Sequence, residues 1–168
     1  MSKIATIITD LVEDIEVTSP KEALEAAGHE VVIISNNEKE VVKGKKGTEF
    51  SIDVSIENID SATFDALLIP GGFSPDQLRT DKRYVDLTRD FLNSERPVFA
   101  ICHGPQLFIQ TGLTKGRTMT GYESIRPDLA YAGANVKDEE VVIDDNLITS
   151  RTPDDLKAFN KAILHALE

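Results

Sequence analysis

Apolar residues in this chain fall mostly into short unbroken runs. "KIATIIT" (3 to 9), "EVVIIS" (30 to 35), "DALLIPGG" (65 to 72) and "PVFAIC" (97 to 102) are each bounded by polar or turn-forming residues. Runs of this length, rich in Val and Ile, read as strands buried on both faces. Between the first two lies "SPKEALEAAG", with Ser19 as N-cap, Pro20 at the first helical position, Glu22 closing a capping box and Gly28 as the stop, so a helix is expected to start at Ser19. "EVVKGKKGTEFSIDVSI" alternates about a glycine-rich turn and predicts a hairpin, as does "EVVIDDNLITS" (140 to 150) around Asp144 to Asn146. "TPDDLKAFNKAILHALE" closes the chain as an amphipathic helix capped by Thr152.

Continuously apolar strands alternating with helices predict an α/β sandwich of three layers, its mostly parallel sheet covered by helices on both faces. Ligands in such folds bind at the carboxyl ends of the strands. Three strand ends carry chemistry: "TDLVEDIE", "PGGFSPDQLR" and "CHGPQ". If they share one crevice, Glu13, Gly71, Gly72, Cys102 and His103 become neighbours. "AICHG" puts the single cysteine at a strand-to-helix break, the position of the serine in the G-x-S-x-G nucleophile elbow. The helix expected over Gly104 to Thr111 turns its amides and positive end toward the thiol and favours the thiolate. The amide of His103 and those allowed by Gly71 and Gly72 form the expected oxyanion hole. An isolated buried cysteine reads equally as a small hydrophobe.

With 18 basic and 29 acidic residues the formal net charge is -11, which argues against nucleic acid and anionic membrane as main partners. No apolar run approaches the roughly 20 residues needed to span a bilayer. One cysteine forms no internal disulfide, and the start of the chain lacks a signal-peptide pattern, so the cytoplasm is the expected compartment. At 168 residues, without repeats or linkers, the chain is expected to form one domain over 1 to 168. Three histidines without ligand spacing, and glycines outside any phosphate-loop or dinucleotide pattern, point to no metal and no cofactor.

Taken together, "AICHGPQ", "DALLIPGGFSPDQLR", "VEDIE", "KGRTMTGYESIRPDLAYAGA" and "SRTPDDL" resemble the DJ/ThiJ/PfpI superfamily, in particular its PfpI-type intracellular proteases and bacterial general stress proteins, related in fold to class I glutamine amidotransferases. The resemblance runs from about residue 3 to about residue 166. It implies a flavodoxin-like sandwich with Cys102 as nucleophile, Glu13 hydrogen-bonded to it, His103 following it, and Asp76 reaching His103 from an adjoining subunit of a homodimer or larger homo-oligomer. Asp76 stands where most relatives carry glutamate. By the same analogy Tyr122 and Arg151 line the pocket. Two anions in one crevice oppose each other, so a thiolate at Cys102 is best held if Glu13 keeps its proton and donates it. The implied activity is that of a cysteine-dependent stress enzyme acting on reactive carbonyls or early glycation adducts, as in glyoxalase III-like or deglycase-like relatives. An intracellular cysteine peptidase and a non-enzymatic sensor oxidised at Cys102 are the alternatives.

Overall fold

The computed structural model describes residues 1–36 and 40–168. The elements follow in the order β1 (Lys3–Ile7), α1 (Asp14–Ala26), β2 (Glu30–Ser35), β3 (Val41–Lys43), β4 (Glu49–Ser51), β5 (Val54–Ser55), β6 (Ala66–Ile69), α2 (Ser74–Leu78), α3 (Lys82–Leu92), β7 (Val98–Ile101), α4 (Gln106–Thr111), β8 (Thr118–Met119), α5 (Arg126–Tyr131), β9 (Asn135–Val136), β10 (Val142–Asp144), β11 (Leu147–Ser150) and α6 (Leu156–Ala166). Seven strands form one sheet in the order β10-β11-β7-β6-β1-β2-β5, parallel except for the edge strand β10. The expected α/β sandwich with a mostly parallel sheet is therefore what the chain forms.

Alternate residues of each strand feed opposite faces. On one face Ala5, Ile7, Leu67, Ile69, Val98 and Ala100 pack with Phe91 of α3 and Phe108 of α4. On the other, Ile4, Leu68, Phe99 and Ile101 meet Val17 and Leu24 of α1, Phe159 and Ile163 of α6, and Phe50 of the β3–β4 hairpin. Cys102 belongs to this second cluster.

Both hairpins form where the sequence predicts them, with β3 antiparallel to β4 and β10 to β11. Thr152 caps the last helical segment by accepting from the Asp154 amide, as expected. The start of α1 is a correction: the helix begins at Asp14, five residues before Ser19, and Pro20 lies inside it. Ser19, read as an N-cap, instead accepts a 2.9 Å hydrogen bond from Asn160 Nδ2 of α6. Pro20 is tolerated there because the N–H it lacks would have served only the carbonyl of Glu16, one turn back. The longer helix brings two acidic residues, Asp14 and Glu16, into its first turn.

The loops after β1 and β6 are joined side by side. Val12 and Gly72 form an antiparallel bridge, the Glu13 amide donates to the Gly71 carbonyl at 3.3 Å, and the Phe73 amide donates to Leu11 O at 2.9 Å. Gly72 takes φ +74, and a side chain there would collide with the Glu13 amide and Leu11 O. Three strand ends thus meet in one crevice.

Candidate active site

Cys102 follows β7 directly and adopts φ 62, a left-handed conformation rare for any residue but glycine. The turn is held by three backbone hydrogen bonds: the Cys102 amide to Ser150 O, the Gly104 amide to Ile101 O, and the Tyr122 amide to Cys102 O, between 2.8 and 3.0 Å. Strain of this kind persists only where the surroundings over-determine it, and here it lifts the thiol out of the sheet. The side chain is nonetheless only 6% exposed.

The backbone amides of Gly72 and His103 both face the sulfur and stabilise its anion. The Gly71 amide is taken: it donates to Glu16 Oε1 at 2.8 Å and is no part of an oxyanion hole. A Cβ at Gly71 would stand 2.7 Å from Glu16 Oε1 and 2.8 Å from the His103 amide, so glycine is what allows this close approach.

The acid beside the thiol is Glu16, whereas the resemblance assigned that place to Glu13. Glu16 is the third residue of α1 and fully buried. Helical side chains lean toward the helix N-terminus, and this one therefore reaches back over the strand ends. Its carboxyl interacts with the Cys102 thiol, while Oε2 is buried without a fully formed hydrogen bond among the described residues. Burial pushes the Glu16 pKa up to about 8, against the pull of the Gly71 amide. Glu13, one residue before the helix, turns the other way into ion pairs with Lys45 (3.0 Å) and Lys46 (3.4 Å).

The thiol is not the stabilised thiolate that a helix end alone would make. Burial, followed by the negative charge available on Glu16, pushes the Cys102 pKa well up, and the two amides recover only part of this. His103 moves in the opposite sense: burial and the nearby Lys45 ammonium lower its pKa, and Asp76 offsets them only in part. Its imidazole is therefore neutral at neutral pH. Nδ1 lies 3.4 Å from Cys102 Sγ and Nε2 lies 3.5 Å from Ser124 Oγ. The ring stacks on Tyr122 with centroids 4.7 Å apart. A neutral imidazole at that distance is placed to take the thiol proton.

Asp76 sits on α2 of the same chain, within electrostatic reach of His103, and no hydrogen bond joins the two among the described residues. Arg151 follows β11, whose Ser150 carbonyl accepts from the Cys102 amide, but its guanidinium is committed to Asp155, at 2.9 and 3.0 Å, and to Asp138 at 2.9 Å. Tyr122 touches the site through its ring and its amide. Sequence reasoning missed Glu16, Lys45 and Ser124. The signal for Glu16 was present: the apolar spacing of Val17, Pro20 and Leu24 extends the helix backwards past Ser19.

A family model described as DJ-1/PfpI family matches residues 2–166, and the chain belongs to that family. It is 55% identical to "Putative cysteine protease YraA" of Bacillus subtilis (strain 168), an alignment covering 99% of this chain and 98% of the relative. It is 54% identical to protein/nucleic acid deglycase 2 of Escherichia coli (strain K12), covering 98% and 97%. Among solved structures, a two-domain protein from Anabaena variabilis containing DJ-1/ThiJ/PfpI-like and ferritin-like domains superposes with a TM-score of 0.96 at 39% identity, over 99% of this chain and 48% of that longer one.

Proposed function

We propose that the protein is a cysteine-dependent enzyme that adds Cys102 to the carbonyl carbon of a reactive oxo compound or an early glycation adduct. The observation that carries the reading is the setting of Cys102: a strained turn, two amides on the sulfur, an acid with a pKa near 8 beside it and a neutral imidazole at 3.4 Å. The name of the deglycase relative points the same way. Among the described residues no hydrogen bond ties Asp76 to His103, so carbonyl addition, which asks less of the histidine than amide cleavage, stands ahead of a peptidase reading. The cytoplasm and association into a homodimer or larger homo-oligomer belong to the same reading; among the described residues no helix is long and apolar enough to cross a membrane.

With a 2-oxoaldehyde the steps are these. His103 takes the thiol proton as sulfur bonds to the aldehyde carbon, and the carbonyl electron pair becomes an alkoxide that is protonated to a hemithioacetal. Glu16, uncharged below about pH 8, leaves the forming anion unopposed and has a proton to give. Base removal of the proton on the former aldehyde carbon and reprotonation at the neighbouring carbon yield a thioester. Water then cleaves the carbon–sulfur bond, releasing a 2-hydroxy acid and restoring the thiol. The reaction consumes one water and no redox partner.

The test is conversion of methylglyoxal to lactate followed by proton NMR in amine-free buffer, for the wild type and Cys102→Ala. More lactate than protein, lost in the variant, is the expected result. One adduct per chain without turnover would overturn the proposal and favour a thiol that senses oxidants or electrophiles.

A further inference from the structure

Ser124 is set against the edge of the His103 ring by a turn that is pinned at both ends. The Tyr122 amide donates to Cys102 O at 2.8 Å, and the Tyr122 ring stacks on the imidazole. The amides of Ile125 and Arg126 donate back to Tyr122 O at 3.0 and 3.2 Å, which closes the single turn Glu123–Ile125 that leads into α5. Ile125 is buried in the core on the side of Phe91 and Phe108. Gly121 lets the two ends close up, since a Cβ there would stand 3.1 Å from Ile125 Cδ1 and 3.2 Å from Cys102 O. Ser124 is held at the ring between these anchors.

His103 meets a polar side chain at each ring nitrogen. Nδ1 lies 3.4 Å from Cys102 Sγ, and Nε2 lies 3.5 Å from Ser124 Oγ, its one side-chain partner among the described residues. A neutral imidazole carries a single N–H. If Nδ1 is to take the thiol proton, that N–H is on Nε2 and points at the serine oxygen, while the exposed hydroxyl turns its own proton to solvent. In a serine–histidine–aspartate triad the acid at the far nitrogen holds the tautomer and the ring orientation. A hydroxyl can hold both without adding a charge. Catalytic hydrogen bonds are often long until the reacting complex tightens them, so 3.5 Å at Nε2 is no bar to the role. The charged groups that act on His103 are Lys45 of the β3–β4 turn and Asp76 of α2, with Glu16 of α1 at the sulfur; none of them hydrogen-bonds to the ring among the described residues.

We propose that Ser124 is the positioning residue of His103: its hydroxyl accepts a hydrogen bond from Nε2–H, fixes the ring with Nδ1 toward Cys102, and takes the place that a carboxylate holds in a charged triad. The inference rests on the function proposed above and adds a residue to it. As sulfur bonds to the aldehyde carbon, the thiol proton passes to Nδ1 and the carbonyl electron pair moves to oxygen. Nε2 keeps its proton and its serine partner throughout, and Nδ1 then gives its proton to the alkoxide.

Alkylation of Cys102 by iodoacetamide, followed by intact mass, tests this without turnover: a sulfur–carbon bond forms, iodide leaves and the thiol proton goes to base. The rate at pH 7 is expected to fall about fivefold in Ser124→Ala, the worth of one hydrogen bond, and to return in Ser124→Thr. The ratio of wild type to Ser124→Ala is expected to approach one by pH 10, where hydroxide removes the thiol proton without His103. In Ser124→Asp the titration of the His103 ring, followed by proton NMR, is expected to move up by about one pH unit, because a carboxylate then stands at Nε2. Equal rates for wild type and Ser124→Ala at pH 7, or a ratio that stays constant up to pH 10, would overturn the inference, as would an unmoved His103 titration in Ser124→Asp. Each of these results leaves the proposed function standing, whereas that reading falls if the wild type gives no Cys102-dependent lactate. A Cys102 inert to the reagent at every pH would overturn both.

Discussion

The Glu16 carboxyl lies against the Cys102 thiol, with its other oxygen held at 2.8 Å by the Gly71 amide. A helix, a strand end and a glycine loop therefore converge on one ionisable pair. The consequence is that acid and thiol cannot titrate independently of the fold.

Stability should report this directly. The Glu16 pKa is raised from 4.5 to about 8 by burial, so between those values the folded chain holds a proton that the unfolded chain has lost. Stability then falls as pH rises through that window, with the full loss reached above about pH 8. Glu16→Gln removes this term. The difference in denaturant unfolding free energy between wild type and variant is expected to shift in the variant's favour as pH increases from 5 to 9; a difference independent of pH would contradict the assignment.

The left-handed backbone of Cys102 predicts an unusual order of substitutions. Glycine is ordinarily less stable than alanine at a rigid position, but φ 62 reverses the preference. Cys102→Gly is expected to exceed Cys102→Ala in stability by about 1 kcal/mol, the cost of placing a Cβ in the left-handed region. Urea unfolding of the two variants measures it, and alanine above glycine would mean that the elbow is not strained.

Asp14 accepts from the Lys46 and Thr48 amides of the β3–β4 turn at 3.0 Å each and offers a separate test. Burial raises its pKa, but hydrogen bonds from Thr48 and from the Lys46 and Thr48 amides outweigh it and hold the group below the usual carboxylate range. Its contribution is present above the unfolded pKa and is lost as pH falls through the folded one. Asp14→Ala should cost about 1–3 kcal/mol at pH 7 through the stranded amides, with the two proteins converging in acid. Thermal melts at pH 7 and pH 3 give the comparison.

Local patterns in the chain determined a good deal. The apolar runs mark β1, β2, β6 and β7 within three residues at either end, because strands buried on both faces leave no room for polar residues. Gly44 and Gly47 announce one hairpin, and Asp144 to Asn146 the other. The break at Cys102 is legible because an apolar strand stops there beside "HGP". Where a motif meets a structure is a different matter. "VEDIE" holds two glutamates, and no local rule says which one faces the thiol. That was decided by where α1 begins: a start at Asp14 puts Glu16 in the first turn, leaning over the strand ends, and leaves Glu13 to the lysines of a hairpin more than thirty residues away. Ser19 and Pro20 suggested a later start, and packing against α6 overrode them. The state of the thiol was likewise decided only by the tertiary structure. Whether amides or burial dominate at Cys102 depends on how completely the surrounding loops exclude water, a property that no single stretch of sequence contains.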